Sequence, residues 1–137
     1  MPTVNGILET ALYVEDLERA VRFYRTVFGF EVLGCDDRFC ALNVAGRDVL
    51  LLFRRGATLA PIAVPGGVIP PHDGSGTTHL AFAIAAAELE DWKRRLTEQG
   101  IVIESQVHFP RGSVALYFRD PDGHLLEVAT PGLWAIY

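Results

Sequence analysis

Three side chains in this sequence have the chemistry of metal ligands although they lie far apart along it: Glu9, His79 and Glu127. Each stands in a short run of apolar residues, where a charged side chain without a partner is costly to bury. Carboxylate oxygen and imidazole nitrogen are donors suited to Mn, Fe, Ni, Co or Zn. Three protein ligands leave coordination positions open, which is typical of a catalytic rather than a structural metal site.

The elements that carry these residues are predicted to be strands with one apolar face. In residues 7–14, Leu12 lies on the apolar face and Glu9 on the opposite one. Residues 77–84 repeat this arrangement, with His79 at the position that corresponds to Glu9. The small alanines beside both residues leave space for a ligand on these faces.

The same order of predicted elements occurs twice along the chain, which indicates a duplicated unit. The first copy has a strand at 7–14, a helix that begins after Asp16 and ends at Gly29, and strands at 30–34, 39–44 and 49–53. The second copy has a strand at 77–84, a helix that ends at Gly100, and strands at 101–107, 113–118 and 125–129. The pattern therefore predicts an α+β fold built from two βαβββ modules.

The predicted modules span residues 1–54 and 77–137, and residues 55–76 connect them. This connection is rich in Pro and Gly, so little regular structure is expected in it. A connection of this length is usually a linker or a loop over a site. Both roles are open here.

Each candidate ligand also has a plainer interpretation when it is taken alone. Glu9 could face solvent, His79 could be a packed or surface histidine, and Glu127 could pair with Arg119 or Arg111. Their matching places in a duplicated unit favour the shared metal site.

Composition excludes several other classes of protein. The chain has 137 residues and a formal net charge of -5, which argues against nucleic-acid binding because phosphate recognition needs a basic face. No apolar run approaches the length of a membrane span, and the first ten residues lack the features of a signal peptide. We therefore expect a cytoplasmic protein in which Cys35 and Cys40 are reduced.

Other polar residues are weaker candidates for a functional role. Tyr13 shares a face with Glu9 and could orient substrate or act as an acid, or it could simply line a pocket. Arg111 at a predicted hairpin tip could bind an anionic group, but a solvated arginine is the plainer reading. His72 in the connection could close over the pocket, although a surface histidine is favoured.

Short motifs along nearly the whole chain match a known family. They are LETALYVEDLERA at 8–20, FY at 23–24, FGF at 28–30, HLAF at 79–82, YFRDPDGH at 117–124 and LE at 126–127. With these motifs the chain resembles the vicinal oxygen chelate superfamily, which includes glyoxalase I, extradiol dioxygenases, fosfomycin-resistance enzymes and bleomycin-resistance proteins.

The resemblance implies two paired modules whose curved mixed sheets surround a central pocket, and a homodimer with a site that sometimes crosses the subunit interface. It places the family's metal ligands on Glu9, His79 and Glu127. The fourth ligand of glyoxalase I falls on Leu51, which cannot bind a metal. Extradiol dioxygenases typically use two histidines and one carboxylate, whereas this set has one histidine and two carboxylates.

The resulting functional prediction is an enzyme that uses one divalent metal ion to chelate and polarise oxygen atoms of a small-molecule substrate. It assigns catalytic roles to Glu127 and Tyr13, and substrate binding to Arg111 and Tyr13. The alternative is a metal-free protein of the bleomycin-resistance type that sequesters a drug or metabolite. A purely structural duplicated domain is a third reading, but it would not need a histidine and two carboxylates on concave faces.

Overall fold

The computed structural model describes residues 1–137 and divides into two units, Met1–Gly76 and Thr77–Tyr137. Each unit contains one four-stranded mixed sheet and one α-helix of ten residues or more. No helix has the length and apolar character needed to cross a membrane.

The first unit follows the predicted order of elements. They are β1 (Glu9–Val14), α1 (Leu17–Phe28), β2 (Glu31–Cys35), β3 (Phe39–Val44) and β4 (Asp48–Arg54). The sheet has the order β1-β4-β3-β2, in which β1 and β4 are parallel and the other pairs are antiparallel. The chain's first strand therefore pairs with the last strand of this four-stranded sheet and lies at the sheet edge.

Helix α1 packs its apolar face on this sheet. Ala20, Tyr24 and Val27 are buried on the helix, and Leu12 and Val14 are buried on β1. The same alternation turns Glu9 away from the helix, as the sequence predicted.

The connecting segment contains a structure that the sequence analysis did not expect. A short antiparallel hairpin, β5 (Ile62–Val64) and β6 (Gly67–Ile69), forms within residues 55–76. Its second strand begins at Gly67, whose φ of 153° suits glycine. Each strand has only three residues, so the periodic pattern was too short to be recognised among the prolines and glycines.

The expectation of two reduced cysteines was wrong. Cys35 on β2 and Cys40 on β3 are cross-strand partners whose Cα atoms lie 4.1 Å apart, and they form a disulfide. The pairing depends on the register of the β2–β3 hairpin, which composition alone does not give.

The second unit repeats the arrangement of the first. Its elements are β7 (His79–Ala83), a 3-10 turn (Ala86–Glu88), α2 (Leu89–Glu98), β8 (Ser105–His108), β9 (Val114–Arg119) and β10 (Leu125–Ala129). The sheet has the order β7-β10-β9-β8, again with its first and last strands in parallel. The α+β fold of two βαβββ modules with mixed sheets is therefore confirmed.

Strand register aligns the two copies residue by residue. Ala11 pairs with Leu51 in the first sheet, and Ala81 pairs with Glu127 in the second. Leu51 is therefore the structural counterpart of Glu127, as the sequence predicted.

The start of α1 provides a test of the local fold. The Asp16 side chain accepts a hydrogen bond from the Arg19 backbone N–H and so caps the helix. Loss of such a cap costs about 1 kcal/mol. We expect Asp16→Ala to lower the free energy of unfolding by about that amount in urea denaturation.

The matched control is Asp37→Ala, since Asp37 is exposed and lies in a turn. Equal destabilisation by the two substitutions would contradict a capping role for Asp16.

Candidate metal centre

His79 and Glu127 meet on one face of the second sheet. His79 begins β7, and Glu127 lies on the parallel neighbour β10 at the position that pairs with Ala81. The Cα partner of His79 is Leu125, and Glu127 lies two residues further along β10, so both side chains project from the same face of the sheet. His79 Nε2 lies 3.2 Å from Glu127 Oε1.

A backbone hydrogen bond fixes the orientation of the His79 ring. Its Nδ1 lies 2.8 Å from the carbonyl oxygen of Leu125. Because a carbonyl oxygen can only accept, Nδ1 carries the proton and donates. In the neutral ring Nε2 then carries an unshared electron pair that faces a carboxylate oxygen of Glu127. Two such electron-rich atoms 3.2 Å apart repel each other unless a proton or a cation lies between them.

Glu127 has the environment of a carboxylate that needs a further partner. It is 4% exposed, and its Oε2 is buried without any hydrogen-bond partner. Burying an ionised carboxylate that is only partly compensated is costly. An additional cation at this site would reduce that cost.

The arginines that could have paired with Glu127 are engaged elsewhere. Arg119 donates to Glu104 and to the carbonyl of Gly123, and Arg111 donates to the carbonyl of Leu133. The plainer reading of Glu127 as an arginine partner is therefore wrong.

The pair fits a divalent metal ion in chemistry and in spacing. Two ligand atoms about 2.1 Å from one ion lie about 3.0 to 3.4 Å apart at the usual coordination angles. The 3.2 Å between Nε2 and Oε1 falls within that range. Metal-bound histidines generally donate their other ring N–H to a carbonyl or carboxylate, as His79 does to Leu125.

Glu9 lies in the first unit, at the start of β1. It is exposed and lines a cavity of about 500 Å³ on the face of the sheet opposite α1. The chain contains no group of three or more His, Cys, Asp or Glu side chains arranged to hold a metal ion. The structure thus brings His79 and Glu127 together, and Glu9 as third ligand stays a prediction.

Tyr13 lies on the Glu9 face of β1 and is hydrogen-bonded to His72, with 2.5 Å between its hydroxyl oxygen and His72 Nδ1. Burial and, secondarily, the charge of Asp73 raise the pKa of Tyr13. The hydroxyl therefore keeps its proton at neutral pH, and it can donate a hydrogen bond to a neighbouring acceptor.

His72 is not the surface histidine that the sequence favoured. Its ring packs edge-on against Phe53, with 4.6 Å between centroids, and its backbone exchanges two hydrogen bonds with Thr58. No periodic pattern marks a single histidine in a Pro/Gly-rich segment, so sequence alone could not place it.

One further residue near the site lay outside the predicted set. Tyr117 on β9 pairs with Glu127 across the sheet, and its ring stacks on His79 at 6.3 Å between centroids. Alternation in β9 could have placed it beside Glu127. Arg111, predicted to bind substrate, is exposed in the β8–β9 turn, and its substrate role stays a prediction.

A chain of two βαβββ units, with a histidine and a carboxylate on the parallel first and last strands of one of them, has the architecture of the vicinal oxygen chelate class. Residues 6–128 match the family described as Glyoxalase/Bleomycin resistance protein/Dioxygenase superfamily. The chain belongs to that superfamily.

Individual relatives differ in how much of their length they share with the chain. It is 37% identical over 118 residues to catechol-2,3-dioxygenase of Bacillus subtilis (strain 168), a match that covers 85% of this chain but 38% of that protein. It is 32% identical over 131 residues to metallothiol transferase FosB of Shouchella clausii (strain KSM-K16), covering 93% and 81% respectively.

A solved structure shares the fold over its full length. Lactoylglutathione lyase from Agrobacterium tumefaciens superposes with a TM-score of 0.87 and 36% identity, covering 98% of this chain and 99% of that one. The chain therefore corresponds in extent to this lyase and spans well under half of the dioxygenase.

The pKa of Tyr117 reports on the charge of Glu127. Burial raises this pKa above its ordinary value, and the negative charge of Glu127 and a hydrogen bond between the two side chains raise it further, because all three disfavour the phenolate. We expect Glu127→Gln to lower the pKa of Tyr117, measured from phenolate absorbance in a high-pH titration, with Tyr117→Phe identifying the transition.

Glu104→Gln is the matched control, since Glu104 pairs with Arg119 instead. An unchanged Tyr117 titration in Glu127→Gln would show that the two groups do not interact.

Proposed function

We propose that this protein is a divalent-metal-dependent enzyme that binds and polarises oxygen atoms of a small-molecule substrate. The observation that carries the proposal is the His79–Glu127 pair. A histidine oriented by the Leu125 carbonyl faces a buried carboxylate whose second oxygen has no partner. This arrangement suits a bound cation better than it suits a stability role.

We assign the metal ligands as His79, Glu127 and Glu9. When bound, a divalent ion such as Mn, Fe, Ni, Co or Zn would supply Lewis-acid polarisation of substrate oxygens. The chain's own contribution is orientation and exclusion of water: the Leu125 carbonyl holds the His79 ring, and burial keeps Glu127 away from solvent.

Tyr13 and Glu127 are the proposed catalytic residues. Tyr13 keeps its proton and would donate a hydrogen bond or a proton to a substrate oxygen, for which it would have to leave His72. Glu127 would hold the metal and so take part in catalysis as a ligand.

The proposed ligand set favours one kind of metal chemistry over another. The relatives' names denote a dioxygenase, a thiol transferase and a lyase, so relationship alone does not select one. Two carboxylates and one imidazole leave a metal less electron-poor than two imidazoles would, which favours chelation of substrate oxygens over strong acidification of water.

Metal titration tests the proposal directly. We expect chelator-treated protein to bind one Mn²⁺, Co²⁺ or Zn²⁺ per chain in isothermal titration calorimetry. Because loss of a residue that merely orients a ligand costs about ten- to a hundredfold in metal affinity, loss of a ligand in His79→Ala or Glu127→Gln should weaken binding at least tenfold.

His108→Ala is the matched control, because His108 is an exposed histidine on β8 that contacts Gln106. Absence of stoichiometric binding to the unsubstituted protein would contradict the metal site. That result would leave His79 and Glu127 as a simple ion pair and would favour the metal-free sequestering protein.

We further propose that the protein is a homodimer in which Glu9 joins the His79 and Glu127 of a second copy. Two observations support this. β1 is an edge strand, and the apolar residues before it, Ile7 and Leu8, are 76% and 72% exposed. An exposed apolar segment beside an unpaired strand edge is typical of a surface that another chain covers.

Mixing two variants tests the shared site. Glu9→Ala and His79→Ala are each expected to lose tight metal binding. After they are unfolded and refolded together, heterodimers contain one intact site, so about one quarter of the unsubstituted protein's capacity should return by statistical pairing.

Each variant refolded alone is the control and should show no recovery. If the mixture also fails to recover while size-exclusion chromatography shows dimers, the ligands come from a single chain or Glu9 is not one of them.

A further inference from the structure

The turn that precedes β10 ends in a buried histidine that the proposed metal site does not use. His124 is 1% exposed and directly follows the Asp120-Pro121-Asp122-Gly123 turn between β9 and β10. Because strand side chains alternate, His124 falls in the row of Leu126, a fully buried core residue, and not in the row of Glu127. His124 is therefore a core side chain on the face of the sheet opposite the site.

His124 binds the backbone of the residue that precedes His79. Its Nδ1 lies 3.0 Å from the backbone nitrogen of Thr78 and 3.1 Å from the Thr78 hydroxyl oxygen. Because an amide N–H can only donate, His124 Nδ1 is the acceptor, and in the neutral ring the proton is on Nε2. The Thr78 carbonyl in turn accepts from the Leu125 N–H, at 2.8 Å. Two consecutive residues thus hold both polar groups of the Thr78 backbone.

The orientation of His79 depends on this junction between β7 and β10. The Leu125 carbonyl accepts from His79 Nδ1 only while the two strands keep the register in which Leu125 and His79 are Cα partners. That pair is the first of the parallel ladder, and the ends of an element open more easily than its middle. The contact between His124 and Thr78 closes the ladder at this end.

The turn holds His124 in place from the other side. The buried Asp120 carboxylate accepts through Oδ1 from the backbone N–H groups of Asp122 and His124, each at 2.9 Å. Gly123 has a φ of 83°, and a Cβ at this position would lie 3.2 Å from Thr77 Cγ2. The turn is therefore internally bonded and lies close against the residues that lead into β7.

We propose that His124 is a positioning residue for His79. Through the Thr78 backbone it holds the start of β7 against β10, so that His79 keeps its proton on Nδ1. The Nε2 electron pair of His79 then faces Glu127. The hydrogen bond at one ring nitrogen of a histidine determines which nitrogen carries the proton. The consequence for metal binding rests on the proposed function, whereas the tautomer of His79 is a property of the metal-free protein.

Two substitutions at position 124 separate the hydrogen-bond acceptor from the bulk of the side chain. His124→Leu removes the acceptor, whereas His124→Asn keeps one, because Asn Oδ1 is as many bonds from Cα as His Nδ1. The tautomer of His79 is read from long-range ¹H–¹⁵N correlation spectra of chelator-treated protein in mildly alkaline buffer. We expect the Nδ1–H form alone in the unsubstituted protein and in His124→Asn, and a mixture of both tautomers in His124→Leu.

Zinc affinity in isothermal titration calorimetry provides the second readout. Loss of a residue that orients a metal ligand costs about ten- to a hundredfold in affinity, and His124 acts through one further residue, so we expect about tenfold weaker binding in His124→Leu. His124→Asn should bind zinc nearly as the unsubstituted protein does. If the unsubstituted protein binds no zinc, the proposed function fails, but the tautomer comparison still tests the role of His124.

Ser113→Ala is the matched control. Ser113 is also buried in the second unit, and its hydroxyl donates to the Thr130 carbonyl beyond the other end of β10. This substitution should lower stability and leave the His79 tautomer unchanged. Should His124→Leu not fold, His124→Met takes its place, because a flexible methionine fills irregular space.

Three results would overturn the inference. The first is a single Nδ1–H tautomer in the apolar variant, and the second is a mixture in His124→Asn or in Ser113→Ala. The third is a mixture in the unsubstituted protein, which needs no variant to be observed.

Discussion

The parallel pairing of the first and last strands in each βαβββ unit is the constraint on which the candidate site depends. It brings residues nearly fifty positions apart onto neighbouring strands, so that His79 on β7 reaches Glu127 on β10. Parallel strands cannot be joined by a tight turn, and the intervening helix and antiparallel strands are the crossover that makes the pairing possible. The position of the site is thus determined first by the strand order and only then by side-chain packing.

The same pairing occurs in both units but carries different chemistry in each. In the second unit the position opposite Ala81 is Glu127, and in the first the position opposite Ala11 is Leu51. At this position the second sheet carries a carboxylate and the first carries an aliphatic side chain. The first unit accordingly holds a cavity with aromatic and aliphatic walls, while the second holds the histidine–carboxylate pair.

The sequence predicted the features that depend on periodicity within one element and missed those that depend on pairing between elements. Strand alternation placed Glu9 and His79 on the faces away from the helices, and Asp16 and Gly29 correctly marked the ends of α1. The Cys35–Cys40 disulfide, the Tyr13–His72 hydrogen bond and the β5–β6 hairpin each require knowing which segments meet. The meeting of His79 with Glu127 was predicted from the places of the candidate ligands in a duplicated unit and from the resemblance to the superfamily, because no periodic pattern relates two strands so far apart.

The histidine–carboxylate pair of the second unit is buried with its hydrogen-bonding capacity only partly used. Glu127 is almost completely buried, one of its oxygens has no hydrogen-bond partner, and the other faces a ring nitrogen whose opposite side already donates to a carbonyl. Breaking up a buried ion pair is costly, but replacing it with apolar residues is often neutral or stabilising. In the first unit Leu51 occupies the equivalent position within the same strand pairing. The pairing of the two strands is therefore compatible with either side chain, and the metal site that we propose gives the carboxylate a role.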